Sequence, residues 1–382
     1  MLEDTYGHTP YQKMFELADV YGVKFDEERA SRKKLKLGII GAGGVAQSKH
    51  LPAIMRLRTI WEPVEVAAVS IRTEAQGRKV SELYGCNWYK DYKEMIRNEH
   101  LDGVLVLSSD EAHQEHTLCC LDAGIPVLVE KPIMRSLVKA KQMCEYADQK
   151  KHLLMMVSNK RYSPPYLRAK KAIVEGVVAN PAMFVGKFNL GYEYVDIFEG
   201  GTIHIFDIMR YLMGEVQDVR GVGTRMYAFN KTQYPFDNAI VNCVLKSGAI
   251  GSIYTSATAL SLKPWERVEV YGCKTWLSVE DQYELTIYDS EIGPSKSYKP
   301  VLPNTLLFDE EFGGFMGLIE NFLQCIRGVD QPLVTGWDGY KSYELAVASH
   351  LAIKNGGTIS LPLDAELADK ECSLWMKNSK QF

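Results

Sequence analysis

Leu35-Lys36-Leu37-Gly38-Ile39-Ile40-Gly41-Ala42-Gly43-Gly44-Val45-Ala46 is the stretch that decides the fold. Its first half is a short apolar run, as expected of a strand buried on both faces of a parallel sheet. Its second half matches the G-x-G-x-x-G/A pattern, with Gly41, Gly43 and Ala46 in the three small positions. The first glycine permits a tight turn and the second lets backbone approach a pyrophosphate. The small third residue lets the following helix pack close to the strand. That helix would offer unpaired N–H groups and a positive dipole end. Gly41, Gly43, Gly44, Val45 and Ala46 are therefore expected to hold the phosphates of a dinucleotide.

Working outward, apolar runs at 64–69, 103–107, 127–129 and 153–157 read as further strands. Between them, 45–58 (interrupted by Pro52), 72–84, 89–98, 111–123 and 137–150 read as helices. Such alternation implies βαβ units and a doubly wound parallel sheet. After about residue 160 the rhythm changes. A helix at 166–175, a strand at 182–190 and a helix at 202–213 precede strands at 216–227, 239–245, 248–259, 267–271 and 276–279. Lys246-Ser247-Gly248-Ala249 reads as a hairpin turn between two of them. Helices at 315–327 and 339–354 close the chain. The expected fold class is thus α/β, with a second, α+β domain built on a large, mostly antiparallel open sheet. The expected organisation is an extension over 1–34 with a short helix at 10–20, a dinucleotide-binding domain over 35–158, and a substrate and oligomerisation domain over 159–382.

The bulk properties narrow the function classes. A formal charge of −4 gives no electrostatic reason to expect nucleic acid or an anionic membrane as partner. No apolar run approaches the ~20 residues that span a bilayer. The N-terminus lacks the basic and apolar regions of a secretory signal. The eight cysteines contain no C-x-x-C pair, which points to a reducing, cytoplasmic setting rather than a zinc knuckle or disulfide framework. His113 and His116 share a helix face but have no third ligand nearby, so no metal site is expected.

The second strand ends Ala68-Val69-Ser70-Ile71-Arg72, with no acid where an NAD-specific site carries Asp or Glu for the ribose hydroxyl. Ser70 and Arg72 instead suit a 2′-phosphate, which tilts the expectation toward NADP over NAD. The strand at 127–129 runs into Glu130-Lys131-Pro132, placing a lysine at a strand mouth.

These motifs, with His50-Leu51-Pro52-Ala53, His113 and His204-Ile205-Phe206-Asp207 followed by Arg210-Tyr211-Leu212-Met213-Gly214, resemble the Gfo/Idh/MocA family over residues 36–362. That family joins a Rossmann domain to an α/β domain whose open sheet mediates oligomers, and moves hydride between NAD(P) and a CH–OH or C=O of a sugar, cyclitol or glycoside. The resemblance implies that Ser108, His113, Glu130 and Lys131 adjoin the cofactor and that Lys131 polarises the reacting oxygen. It implies that His204 takes the hydroxyl proton as hydride leaves, a role an imidazole fills in either direction near neutrality. Lys160, Arg161, Tyr162 and Asp207 are candidate substrate residues, and Tyr192, Tyr194 and Trp265 candidate stacking rings.

One position departs from the family's pattern. Four residues before the histidine the family carries Asp, and this chain carries Gly200. Glu199 or Asp196 is the candidate replacement. Two other readings stay open beside the dehydrogenase: a redox-neutral enzyme that oxidises, eliminates and re-reduces its sugar, and a sensor that has kept the fold without the chemistry.

Overall fold

The computed structural model describes residues 27–189, 196–226, 235–257, 264–288, 295–299 and 313–378. The helix expected at 10–20, and the rings of Tyr192 and Tyr194, lie outside them.

A short helix α1 (Glu27–Ala30) precedes β1 (Leu35–Ile40). A π-helical turn over Ala46–His50 then runs directly into α2 (Leu51–Thr59), and this widened turn immediately precedes Pro52, which has no N–H to donate back along the helix. There follow β2 (Val64–Ser70), α3 (Glu74–Tyr84), β3 (Asn87–Tyr89), α4 (Tyr92–Asn98), β4 (Gly103–Val106), α5 (His113–Asp122), β5 (Val127–Val129), α6 (Leu137–Lys150) and β6 (Leu154–Met156). The six strands lie in the order β3-β2-β1-β4-β5-β6 and all pair in parallel, the doubly wound arrangement. Strands β4, β5 and β6 are buried at every position, because helices cover both faces. One expectation is corrected: the helix read from residue 89 begins only after the N-cap Asp91, whose carboxylate accepts from Lys93 N at 2.9 Å, and Tyr89 instead ends the strand Asn87–Tyr89.

The second sheet collects α7 (Pro164–Val174), β7 (Met183–Asn189), α8 (Ile203–Met213), β8 (Val216–Thr224), β9 (Asn238–Leu245), β10 (Ile250–Ser256), β11 (Glu266–Tyr271), β12 (Trp276–Glu280), β13 (Glu284–Tyr288) and β14 (Lys296–Tyr298). After these come α9 (Phe315–Ile326), α10 (Gly336–Asn355), β15 (Ile359–Ser360) and α11 (Ala365–Asn378). The strand order is β14-β13-β12-β11-β7-β10-β9-β8-β15, antiparallel except where β10 meets β7. The expected turn at 246–249 closes the β9–β10 hairpin, with Gly248 at φ 88°. Strands β13 to β15 and helix α11 add to the elements expected from sequence. On one face Phe184, Val241, Ile253, Val268 and Leu277 pack beneath α7, α8 and α10 in a core that also buries Tyr166, Phe198 and Phe206. Each such side chain contributes about 1.5–3 kcal/mol on leaving water.

Two compact units emerge, and the chain crosses between them more than once. The first comprises 1–133, 142–157 and 306–336; the second comprises 134–141, 158–305 and 337–382. Helix α9, far along the chain, therefore completes the first unit, with Phe322 and Ile326 closing on Gly103 of β4. The charged lead-in before β1 is also tied into that unit, since Arg29, Arg32 and Arg327 converge on the buried Glu62 at 4.0, 3.5 and 2.6 Å. A carboxylate with no solvent access is tolerable only when compensated in this way.

Candidate active site

The glycine turn leaves β1 at the carboxyl edge of the first sheet. Gly41 has φ 86°, donates its N–H to Ser70 O at 2.9 Å, and leaves no room for a side chain, since a Cβ would fall 2.7 Å from Leu107 O. Gly43 and Gly44 differ, because a Cβ on either would meet nothing within 4 Å. This is the open, backbone-lined approach that a pyrophosphate needs, with the helix N-terminus behind it. Ala46 is buried, and Gln47 and Gln76 both donate to Ala42 O, at 2.6 and 2.8 Å. The turn is thus held from behind and fits a dinucleotide in front.

On the same edge, β5 delivers Glu130 and Lys131. The Glu130 carboxylate accepts from Lys131 N at 2.6 Å and lies 3.0 Å from His50 Nε2, so the helix after the glycine turn grips the lysine segment. Burial works against ionising Glu130, but His50, Lys131 and the backbone donor together hold its carboxyl below the usual glutamate range. His113 grips the same segment from another side. Its ring is fully buried, with Nδ1 3.0 Å from Pro132 O and Nε2 3.2 Å from Ser108 O. Each ring nitrogen thus faces a backbone carbonyl, and the one that carries the proton donates to it. The His113 side chain braces the Lys131 segment and turns no atom outward for a ligand. The Ser108 hydroxyl lies 2.9 Å from His116 Nδ1, while Ser70 is buried at the end of β2 and Arg72 exposed beyond it.

A first prediction follows for Glu130. Its folded-state carboxyl titrates below the unfolded one, so its stabilisation is complete above the ordinary glutamate range, about pH 4.3, and is lost as pH falls through the lowered value. Glu130→Gln should cost on the order of 1–3 kcal/mol at neutral pH. In urea melts the gap from the parent chain should narrow as the buffer becomes acidic; a gap independent of pH would remove the assignment.

In the second unit, helix α8 is buried almost throughout, and only His204 and Tyr211, seven residues apart, are half-exposed. A π-helical turn, Phe198–Thr202, leads into it. Asp196 caps this turn, accepting from Phe198 N at 2.9 Å and Glu199 N at 3.0 Å, and its other oxygen lies 3.1 Å from His350 Nε2. Burial opposes both charges, yet each sustains the other: Asp196 is held below its usual range and His350 above. Asp196 is therefore committed to holding the turn. Glu199 meets Arg135 Nε at 3.2 Å and accepts from the Tyr343 hydroxyl at 3.5 Å. His350 and Arg135 were not among the residues picked from sequence. No motif marks them, because their partners lie far away in the chain.

The four candidate substrate residues are drawn inward. Asp207 accepts from Arg161 Nε at 2.9 Å, Arg161 Nη2 at 2.6 Å, Ser342 at 3.2 Å and Ser158. Asp338 adds a second carboxylate to Arg161, at 3.0 Å. Lys160 is buried against Glu266, with its ammonium 4.8 Å from the centre of the Trp265 ring. Burial dominates that pair, lowering the lysine and raising the glutamate. Tyr162 is buried too. Trp265 thus covers a cation of the fold rather than standing free for a sugar ring, and Arg161 and Asp207 neutralise each other.

A doubly wound sheet with a glycine-turn phosphate site and a braced lysine on the same edge defines a dinucleotide-dependent oxidoreductase. The chain belongs to the Gfo/Idh/MocA family: its "Oxidoreductase family, NAD-binding Rossmann fold" description matches residues 35–158, and its "Oxidoreductase family, C-terminal alpha/beta domain" description matches 198–361. It is 26% identical to a myo-inositol 2-dehydrogenase of Thermotoga maritima over 86% of this chain and 98% of that one. With a D-apiose dehydrogenase of Paraburkholderia graminis the figures are 24%, 87% and 92%. An oxidoreductase from Agrobacterium radiobacter, solved with NAD+, L-tartaric acid and magnesium, shares the fold at a TM-score of 0.76 and 19% identity, covering 86% of this chain and 98% of that one.

Proposed function

We propose that this chain is an NAD(P)-dependent dehydrogenase or reductase acting on a CH–OH or C=O group of a sugar, cyclitol or glycoside. The observation that carries the reading is Lys131, presented at the carboxyl edge of the parallel sheet beside the glycine turn and braced by Glu130, His50 and His113. The relatives named above support the substrate class.

A bound nicotinamide supplies the hydride acceptor or donor. The Lys131 ammonium stabilises negative charge as it develops on the reacting oxygen. His204, one of the two half-exposed positions of α8, accepts the hydroxyl proton in oxidation and returns it in reduction. NADP is the favoured dinucleotide, because no acid stands at the end of β2 and Arg72 lies just beyond it.

The reading is tested by following nicotinamide absorbance with purified protein across a panel of cyclitols, aldoses and glycosides, in both directions. No turnover together with no dinucleotide binding would sink it. Gly200 favours a second reading, a sensor on the same fold, since Asp196 and Glu199 are both committed elsewhere. Dinucleotide binding with no turnover on any member of the panel would support that one.

The open sheet supports a homo-oligomer. Across the β9–β10 pair, Ile240 faces Tyr254 and Val244 faces Ile250, and all four are exposed on the face away from the core. A polar outer face is usual for a one-sided sheet, and an apolar stripe marks a contact surface. Light scattering on the purified chain should give a multiple of 43.1 kDa, and Ile240→Lys should reduce it.

A further inference from the structure

The carboxyl edge of the first sheet holds a second basic group beside Arg72, the His116 imidazole, with no role in the hydride chemistry above. Strands β2 and β4 flank β1, so the ends of those two strands stand on either side of the glycine turn. From the β2 side comes Arg72. It is exposed, and its guanidinium makes no hydrogen bond or ion pair with the described residues. From the β4 side comes His116, in the first turn of α5. Its Nδ1 is taken by the Ser108 hydroxyl at 2.9 Å, and its ring packs edge-on against Tyr92 with centroids 4.3 Å apart. Nε2 is the nitrogen left for a ligand.

The charges around this ring are unbalanced toward the positive. Burial presses it toward its neutral form, and His113, Arg72 and Lys93 add to that pressure. Glu115 is the opposing carboxylate, and it is already engaged by the Tyr92 hydroxyl at 2.6 Å and by Lys93 at 3.4 Å. The intervening Ile71 is buried, and its carbonyl accepts from Trp88 Nε1 at 3.0 Å, so no carboxylate stands there to accept from a ribose hydroxyl. An exposed guanidinium, a nearby imidazole with one nitrogen open and no unpaired acid among these groups form a setting for a doubly charged anion.

We propose that His116 joins Arg72 as a phosphate-binding pair at the adenosine end of the dinucleotide site, making the chain selective for the 2′-phosphorylated dinucleotide. The inference rests on the reading that a nicotinamide dinucleotide occupies the glycine turn. It makes His116 a specificity-determining residue that accepts a proton when the phosphate arrives, because the anion reverses the electrostatic pressure from Arg72, Lys93 and His113.

Calorimetric titration with NADP+ and NAD+ tests this, using the parent chain, His116→Asn and Arg72→Gln. Asparagine keeps a hydrogen-bonding group beside Ser108, and Arg72 is exposed, so retained NAD+ affinity reports an intact fold. The parent chain should prefer NADP+ by tenfold or more, and each substitution should weaken NADP+ about tenfold with NAD+ unchanged. Titrations in buffers of different ionisation enthalpy should show more proton uptake on NADP+ binding by the parent chain than by His116→Asn. Equal affinity of the parent chain for both dinucleotides, or His116→Asn weakening both alike, would overturn the proposal. Failure of both dinucleotides to bind would remove the occupancy of the glycine turn itself, and this inference with it.

Discussion

Replacing Lys131 with methionine is expected to lower kcat by about 10² to 10³ while leaving the fold and the dinucleotide affinity in place. The fold should survive because the anchoring of this segment runs through other atoms. Glu130 binds the Lys131 backbone N–H as well as facing its charge, and His50 and His113 hold Glu130 and Pro132. Methionine keeps most of the side chain's length and loses the charge with its N–H donors. The loss should fall equally on kcat and kcat/KM, because the ammonium acts on charge that exists only in the transition state. Steady-state kinetics with the best substrate of the panel, together with calorimetry for the dinucleotide, gives both numbers. A kcat within about threefold of the parent chain would take the lysine out of the chemistry.

The same segment shows why some of this molecule can be read from sequence and some cannot. The β1–turn–α2 unit is legible because every requirement it meets is local: an apolar run, small residues at set spacings, a helix start. The first sheet follows from its alternation. By contrast, β3 has only three residues and a single tryptophan to mark it, and it exists because Asn87 to Tyr89 pair with the end of β2. The β12–β13 hairpin is hidden for another reason. Its turn places Asp281 and Gln282 at φ 51° and 57°. Turns of that shape usually announce themselves with Asn-Gly or Gly-Gly.

Long-range assembly is the least legible part. Nothing in Phe315 to Ile326 says that this amphipathic helix belongs with a strand more than two hundred residues earlier, yet Gly103 lies beneath Phe322 and Ile326. The charged candidates suffered from the same limit. Lys160, Arg161 and Asp207 attract notice because they are charged and lie near motifs, but whether a charge faces substrate or a counter-ion depends on distant partners. Those partners are Glu266 for the first and Asp338 and Ser342 for the others. His204 and Tyr211 stand out in the structure as the half-exposed positions of an otherwise buried helix, which a sequence this apolar does not reveal.

Asp207 carries the second large expectation. Asp207→Asn should destabilise the protein by about 3–5 kcal/mol, because it removes the charge on which two buried guanidiniums close. Arg161 reaches it at 2.6 Å and Arg210 at 3.7 Å, and all three side chains are at most 6% exposed. With Asp207 neutral, Arg161 would keep Asp338, and Arg210 would keep Asp338 and Glu215, but both of those acids are partly open to solvent. A drop in melting temperature on the order of 10 °C is expected from that free energy in a unit of this size. Asp338→Asn should cost distinctly less, since solvent already screens its charge. The ordering separates a structural role from a substrate role: a substrate contact would raise KM with the melting temperature unmoved. The double substitution Arg161→Met with Asp207→Leu sharpens it further. Removing both partners leaves one fewer uncompensated buried charge than removing the aspartate alone, so the double variant should melt above Asp207→Leu. A double variant less stable than that single one would mean that the pair is held by packing that the two side chains share, and not by the balance of their charges.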